Sequence, residues 1–194
     1  MIDKKNITGI ILAGGKSSRM GLDKGLLLLE DSLFIEHIMN ALYRCVDNII
    51  IVSSNSDYDE FGVKRVEDII KNSGPLGGVY TGLHYSKTEY NIVLSCDVPL
   101  INSSTLSLLI NGIDSEFDVV QLQSKNYKMP LVAMYKKLCK DICLEFLNKG
   151  EKRLRFVVDQ MISKTIKIDS SFDKYVRNIN TIEQLIEIRN EVEH

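Results

Sequence analysis

The first half of the chain alternates short apolar runs with segments in which apolar residues recur at helical spacing. The runs predict buried strands, and the periodic segments predict the helices that cover them. The predicted strands are 7–12, 48–53, 64–66 and 91–95. The predicted helices are 33–46, a short one near Tyr58, 79–86 and 103–111, the last capped by a serine or threonine. Strand and helix alternate four times, which predicts an α/β fold with a three-layer, doubly wound, mostly parallel sheet.

The second half of the chain is less regular. The pattern predicts strands at 118–123, 131–135 and 164–168, helices at 136–147 and 153–161, and an extended segment at 176–180. Thr181 and Gln184 form a capping box for a final helix that runs to about residue 192. No repeat or linker divides the sequence, and 194 residues suffice for one domain with a full core. The whole chain, 1–194, is therefore predicted to be a single domain.

Composition narrows the class of protein. The 44% of apolar and 26% of charged residues are ordinary for a soluble globular protein, and the formal net charge of -2 does not favour nucleic acid as a partner. No apolar stretch approaches the roughly 20 residues that a membrane-spanning helix needs. Residues 1–6 lack the apolar core of a signal peptide, so the expected compartment is the cytoplasm, without a membrane partner. The four cysteines are scattered without a C-x-x-C pair, which predicts free thiols.

The segment 12–21 follows the first predicted strand and contains two adjacent glycines, Gly14 and Gly15. Adjacent glycines let the backbone turn sharply and approach a ligand with no side chain in between. Three cations follow within a short span, namely Lys16, Arg19 and Lys24. Backbone amides and fixed positive charge bind polyphosphates, so the segment is predicted to hold phosphates. A glycine turn flanked by solvated lysines is the alternative.

The glycine spacing excludes two common phosphate motifs. The glycines are not arranged as G-x-G-x-x-G, which excludes a dinucleotide-binding fingerprint and disfavours a nicotinamide oxidoreductase. Lys24 is not preceded by glycine in the form G-x-x-x-x-G-K-[ST], which excludes a P-loop.

Asp97 follows the predicted strand 91–95, and Pro99 keeps the chain extended beyond it. A carboxylate at this strand end lies beside the phosphate-holding segment, because the carboxyl ends of parallel strands meet at one edge of a sheet. Mg²⁺ binds through one or two carboxylates together with phosphate oxygens, so a single well-placed aspartate is sufficient. The alternative is that Asp97 caps the next helix.

Two further features have an undecided role. Asp68 follows the short predicted strand 64–66 and could accept hydrogen bonds from a ribose or a base, or cap a turn. The glycine-rich segment 72–78 could direct its amides at an anion or a planar base, or be a structural turn. No Ser/His/Asp or Cys/His set is evident, so the predicted chemistry is metal-assisted and electrostatic, without a covalent enzyme intermediate.

The segment 12–21 with Lys24 resembles the signature loop of nucleotidyltransferases of the sugar-nucleotide pyrophosphorylase superfamily. Later motifs make the chain most similar to the molybdenum cofactor guanylyltransferase family over essentially its whole length, which implies a Rossmann-like nucleotidyltransferase fold. In chain order, these motifs are Asp23-Lys24-Gly25-Leu26-Leu27, Gly74-Pro75-Leu76-Gly77-Gly78, Cys96-Asp97-Val98-Pro99-Leu100, Met129-Pro130-Leu131-Val132-Ala133, Gly150-Glu151-Lys152-Arg153-Leu154 and Asn178-Ile179-Asn180-Thr181.

The resemblance implies a set of nucleotide-binding residues. GTP binds through the backbone of Leu12, Ala13 and Gly14. Its phosphates contact Gly15, Arg19 and Lys24. Asp68 helps to hold the nucleoside. Ser53 occupies a nucleotide-contacting position at which the family often has asparagine, and Asn55 is the alternative residue for that contact.

The resemblance also implies the catalytic and acceptor-binding residues. Arg19, Lys24 and Asp97 form the catalytic set, and Asp97 binds Mg²⁺ and contacts the nucleotide. Asn178 and Asn180 lie near the pterin phosphate and the metal.

The implied reaction is a direct transfer. The terminal phosphate of the molybdenum-bearing pterin attacks the α-phosphorus of GTP in line and releases pyrophosphate. A phosphate dianion is already nucleophilic, so positioning and charge neutralisation suffice for catalysis. The implied partners are GTP, the molybdopterin-bound molybdenum cofactor, other proteins of its synthesis and apo-molybdoenzymes. Two alternatives stay open: a transferase of the same fold that uses CTP or a sugar phosphate, and a binding module without turnover.

Overall fold

The computed structural model describes residues 2–14 and 23–192. Strand and helix alternate through the first half of the chain, as the apolar pattern predicts. The strands are β1 (Ile7–Leu12), β2 (Leu28–Leu29), β3 (Ser32–Leu33), β4 (Asn48–Val52), β5 (Lys64–Val66), β6 (Tyr90–Ser95), β7 (Val119–Ser124), β8 (Tyr127–Lys136) and β9 (Ser163–Lys167). The α-helices are α1 (Phe34–Tyr43), α2 (Gly74–Tyr85), α3 (Ser103–Gly112), α4 (Cys139–Asn148), α5 (Leu154–Val158) and α6 (Ile182–Val192).

Over the described residues, seven strands form the central sheet in the order β5-β4-β1-β6-β8-β7-β9. β5, β4, β1 and β6 are mutually parallel, and β9 is parallel to β7. β8 is antiparallel to both of its neighbours, β6 and β7, and a tight hairpin joins it to β7. The mostly parallel, doubly wound α/β fold predicted from the sequence is confirmed.

Helices cover both faces of the sheet, and each face has its own apolar core. β1 illustrates why, because its side chains alternate in direction along a fully buried strand. Ile7 and Ile11 pack with α1 and α3, whereas Ile10 and Leu12 pack with α2, α4 and α5. This arrangement gives three layers. A smaller apolar cluster lies outside the sheet and joins β2 and α1 to α6, through Leu29, Phe34, Ile179, Leu185 and Ile188.

The carboxyl ends of the parallel strands lie side by side at one edge of the sheet. Backbone hydrogen bonds continue one residue beyond the strands there: the N–H of Ala13 donates to Val52, and the N–H of Cys96 donates to Leu12, over 3.0 and 3.1 Å. The segments that follow β5, β4, β1 and β6 therefore begin at one edge, where ligands bind in open α/β sheets.

The start of α2 differs from the prediction. The glycine-rich segment predicted as a turn before a helix at 79–86 forms the first turn of α2, which begins at Gly74. Gly74 has a φ of 62°, which suits glycine, and Pro75 fits a first helical turn because its missing N–H is not needed there. Gly78 lets the helix approach β1, since a Cβ on Gly78 would lie 3.1 Å from a methyl carbon of Leu12.

The cap of α3 is also different from the prediction. The N-cap is Asn102, whose side chain accepts the N–H of Thr105 over 2.9 Å, and not a serine or threonine. At α6, Thr181 accepts the N–H of Gln184 as predicted, but the side chain of Gln184 accepts the N–H of Asn180.

Several boundaries in the second half shift by a few residues. β8 runs from Tyr127 to Lys136, longer than the predicted 131–135, so the helix predicted at 136–147 begins later, as α4. The helix predicted at 153–161 is the shorter α5, and the segment predicted as extended at 176–180 follows a 3₁₀ helix at Ser170–Val176. No helix among the described residues is long and apolar enough to cross a membrane.

Candidate functional site

The segment that follows β1 begins at the carboxyl edge of the sheet. Leu12 and Ala13 are buried, and Gly14 is exposed. The predicted contact of their backbone with GTP stays a prediction. The other predicted phosphate contacts of this segment, Gly15 and Arg19, lie outside the described residues.

Lys24 brings two distant parts of the chain together. Its Nζ donates to Oδ1 of Asn180 over 2.6 Å and lies 3.7 Å from Oδ2 of Asp97. The side chains of Lys24 and Asp97 are only 18% and 14% exposed, so solvent screens this pair weakly. Three of the residues predicted for the site thus converge on one point.

Asp97 retains an oxygen that could hold a metal ion. Its Oδ1 is buried and has no hydrogen-bond partner among residues 2–14 and 23–192. A buried carboxylate oxygen without a partner is costly unless a cation or donor binds there. Asn102 caps α3, so the alternative that Asp97 caps this helix is wrong. The described residues contain no group of three or more His, Cys, Asp or Glu that could hold a metal ion.

The segment 178–180 is docked against the loop that carries Asp97. The N–H of Ile179 donates to the backbone carbonyl of Asp97 over 2.8 Å, and the Ile179 side chain is buried against β2, α1 and α6. Asn180 is held through its N–H, which donates to Gln184 over 2.7 Å. The C-terminal helix therefore fixes the asparagine that accepts from Lys24.

The loop after β4 is tied to the residue that precedes Lys24. Oδ1 of Asp23 accepts the N–H of Gly25 over 3.1 Å and the hydroxyl of Tyr58 over 2.5 Å. Oδ2 of Asp23 accepts the side-chain amide of Asn55 over 3.2 Å. The bond to Gly25 caps a 3₁₀ helix at Lys24–Leu26. Nothing in the sequence pattern predicts these contacts, because 32 and 35 residues separate Asp23 from its two side-chain donors.

Ser53 lies at the end of β4, as predicted, but its side chain is 4% exposed. Its Oγ accepts the N–H of Asn55 over 3.1 Å, and its carbonyl accepts from Arg65. The amide of Asn55 is engaged as well, since Oδ1 accepts the N–H of Asp57 and Nδ2 donates to Asp23. These bonds give the Asn55 side chain a structural role, so the alternative that it contacts a nucleotide gains no support.

Asp68 lies just beyond β5 at the same edge, half-buried. Its Oδ1 is buried without a hydrogen-bond partner within the described part of the chain. Burial raises the pKa of Asp68, and the positive charge of Lys71 only partly opposes that effect. Oδ1 therefore caps no turn among the described residues, and it is available to accept from a ligand.

Cys96 does not supply a nucleophile at this edge. Burial, together with the negative charge of Asp97, raises the pKa of its thiol to about 12. A protonated, buried thiol is a poor nucleophile. This agrees with chemistry that forms no covalent enzyme intermediate.

A cleft of about 1500 Å³ opens beside this edge. The β7–β8 hairpin, α5 with the loop before it, and the segment 170–178 form its walls. Among the described residues that line it are three carboxylates and seven cations, the cations being Lys125, Lys128, Lys152, Arg153, Arg155, Lys174 and Arg177. Asn178 belongs to the lining, whereas Asn180 faces Lys24. The cleft thus suits an anionic ligand, and its cationic walls were not predicted from the sequence.

Known proteins are similar to this chain in sequence over most of its length. Residues 9–165 match the family described as MobA-like NTP transferase domain. A relative from Flavobacterium johnsoniae named "probable molybdenum cofactor guanylyltransferase" is 33% identical, with 93% of this chain and 95% of the relative covered. A relative of the same name from Clostridium perfringens is 37% identical, with 90% and 91% covered.

Among solved structures, molybdopterin-guanine dinucleotide biosynthesis protein A from Archaeoglobus fulgidus superimposes with a TM-score of 0.80 at 18% identity. The match covers 96% of this chain and 98% of that one. At this identity the likeness shows the fold alone.

Proposed function

Because the chain belongs to the MobA-like NTP transferase family and is a nucleotidyltransferase, we propose that it transfers GMP from GTP to the phosphate of the molybdopterin-bound molybdenum cofactor. The products are the guanine dinucleotide form of the cofactor and pyrophosphate. One observation carries the proposal: Lys24, Asp97 and Asn180 converge at the carboxyl edge of the sheet, beside a cationic cleft. The names of the relatives supply the identities of the nucleotide and the acceptor.

The nucleotide is proposed to lie along the edge formed by the ends of β1, β4 and β5. The backbone of Leu12, Ala13 and Gly14 is proposed to contact GTP at this edge. Oδ1 of Asp68, which has no partner within the described part of the chain, is proposed to accept from the nucleoside. Gly15 and Arg19 are proposed phosphate contacts on the basis of the sequence alone.

The acceptor is proposed to occupy the cationic cleft, with its phosphate near Asn178 at the cleft wall. A molybdenum-bearing pterin phosphate is an anion, so seven cations against three carboxylates favour its binding. Asn180 is proposed to lie between the acceptor and the nucleotide, because the segment 178–180 lines the cleft at Asn178 and contacts Lys24 at Asn180.

Asp97 is the residue that would hold Mg²⁺, since its buried Oδ1 has no partner among the residues that the structure describes. Mg²⁺ bound there would neutralise phosphate charge together with the protein cations. Lys24 neutralises the charge that develops on the leaving pyrophosphate, and Asn180 keeps its ammonium oriented. The acceptor phosphate attacks the α-phosphorus in line, so the chain has only to position the reactants and stabilise charge.

Pyrophosphate release tests this proposal. The purified protein is supplied with the molybdenum cofactor and, in turn, GTP, CTP, ATP or UTP, with and without Mg²⁺. We expect acceptor-dependent and Mg²⁺-dependent release with GTP, and near-complete loss in Asp97→Asn. Asp141→Asn is the matched control, because Asp141 is 75% exposed on α4 and should leave the rate unchanged. A preference for CTP would refute the guanylyl assignment, and nucleotide binding without release would indicate a binding module.

A further inference from the structure

Asp23 is the centre of a hydrogen-bonded cluster directly behind Lys24. Its carboxylate accepts three hydrogen bonds, from the N–H of Gly25, the hydroxyl of Tyr58 and the side-chain amide of Asn55. Two of these donors belong to the loop after β4 and the third to the 3₁₀ helix that contains Lys24. The cluster therefore joins two segments that flank the proposed nucleotide.

The two donors from the loop after β4 are themselves held in place. The Tyr58 side chain is fully buried, and burial raises its pKa well above the usual range, an effect that the bond to Asp23 reinforces. The Tyr58 hydroxyl is therefore a permanent donor at neutral pH. Asn55 is oriented by the N–H of Asp57, which donates to Oδ1 over 3.0 Å and leaves Nδ2 to face Asp23.

The fit between these segments is close. A Cβ added to Gly25 would lie 2.2 Å from the Tyr58 hydroxyl oxygen, so the hydroxyl occupies the space that a larger residue would need. The N–H of Gly25, on the residue after Lys24, is capped by the carboxylate of the residue before it. The backbone of Lys24 is thus fixed on both sides, and its side chain extends towards Asn180 and Asp97.

We propose that Tyr58 and Asn55 are positioning residues for the transfer reaction, acting through Asp23 to fix Lys24 opposite Asp97. The proposal rests on the proposed function in assigning Lys24 to the leaving pyrophosphate. Neither residue is proposed to contact the reacting atoms. Their loop begins at Ser53, the predicted nucleotide contact. The same loop therefore forms part of the nucleotide-binding edge and also fixes the position of Lys24.

The first test is Tyr58→Phe, which removes the hydroxyl and keeps the ring. A loosened Lys24 should lower kcat for GMP transfer about tenfold and change the KM for GTP less than threefold, because misplacement of a charge-stabilising group acts mainly in the transition state. The matched control is Thr8→Val, which removes a buried hydroxyl bonded to Thr88 at the opposite end of β1. The control should keep the wild-type kcat.

The second test exchanges the two partners. Asp23→Asn places two amide groups face to face, and Asn55→Asp places two carboxylates face to face, so each single variant should lose at least tenfold in kcat. The double variant restores a donor opposite an acceptor and preserves the bonds to Gly25, Tyr58 and Asp57. We expect it to recover to within about threefold of wild type. A purely structural cluster would change melting temperature without this pattern in kcat.

A third readout does not depend on turnover. The ¹⁵N NMR signal of the Lys24 ammonium should shift in Tyr58→Phe and in both single exchange variants, and should return in the double variant. Thr8→Val should leave the chemical shift of the Lys24 ammonium unchanged. If wild-type protein transfers no GMP, the proposed function fails while this signal still tests the positioning role. An unchanged Lys24 signal, a Tyr58→Phe kcat equal to that of Thr8→Val, or a double variant no better than its singles would overturn the inference.

Discussion

Replacement of Lys24 by methionine removes the ammonium and keeps a side chain of similar length. The ammonium donates to Asn180 over 2.6 Å, a hydrogen bond of the charged kind that contributes roughly 1.5–3 kcal/mol. It also lies 3.7 Å from Asp97, where the attraction is about 4 kcal/mol at an effective dielectric constant of about 20. Only the desolvation cost of Lys24 is relieved, because Asp97 stays largely buried without its counter-charge, so we expect Lys24→Met to lower the free energy of unfolding by about 3 kcal/mol.

Lys24→Met should also slow the transfer reaction. Removal of one preorganised charge-stabilising donor typically costs a factor of about 100–1000, so kcat/KM for GTP should fall by that factor. The assay is steady-state GMP transfer at a temperature at which circular dichroism shows the variant to be folded. Lys149→Met is the matched control, since the Lys149 side chain is 63% exposed in a surface pair with Glu145. A folded Lys24→Met protein within tenfold of wild type would refute the role of Lys24.

Three further predictions concern stability. Asp68→Asn should stabilise the protein at pH 7, because burial raises the Asp68 pKa and the wild type loses stability as the pH rises through that pKa. The difference in free energy of unfolding between variant and wild type, measured in urea, should disappear below about pH 4. A difference that stays constant with pH would contradict this. Glu151→Gln should destabilise the protein at pH 7, because the hydrogen bonds from Arg153 lower the Glu151 pKa to about 2. The difference in free energy of unfolding from wild type should shrink as the pH falls from 4.5 to 2. A difference that does not shrink over this range would count against the prediction. Gly82→Ala should lower the free energy of unfolding, measured by thermal denaturation, by about 1–3 kcal/mol, because the added Cβ would lie 2.4 Å from Cγ2 of Ile10. A stabilised variant would show that the higher helix propensity of alanine outweighs the clash.

The parallel half of the sheet could be predicted because its signals are local. Buried strands read as unbroken apolar runs, as at β1, and alternation with helices implies crossover connections. The start of α2 could not be placed, because Gly74 and Pro75 are equally typical of turns and of a first helical turn. Asn102 caps α3, where the pattern predicted a serine or threonine.

The site was predictable in its parts and not in its connections. Lys24, Asp97 and Asn180 were each predicted, but the 2.6 Å bond between Lys24 and Asn180 spans 156 residues and depends on the docking of α6. The donors to Asp23 carry no motif, since Tyr58 reads as an ordinary aromatic core residue. The cationic cleft gathers side chains from three separate segments. The roles of these residues towards ligands stay predictions.

The position of a radioactive label tests the central claim most directly. The protein is incubated with the molybdenum cofactor, Mg²⁺ and GTP labelled either at the α- or at the γ-phosphate, and the cofactor is then separated from free nucleotide. Direct guanylyl transfer predicts that the α-label enters the cofactor in a one-to-one ratio with pyrophosphate released, and that the γ-label leaves with the pyrophosphate. A γ-label recovered in the cofactor, or an α-label that never leaves GTP, would contradict the account.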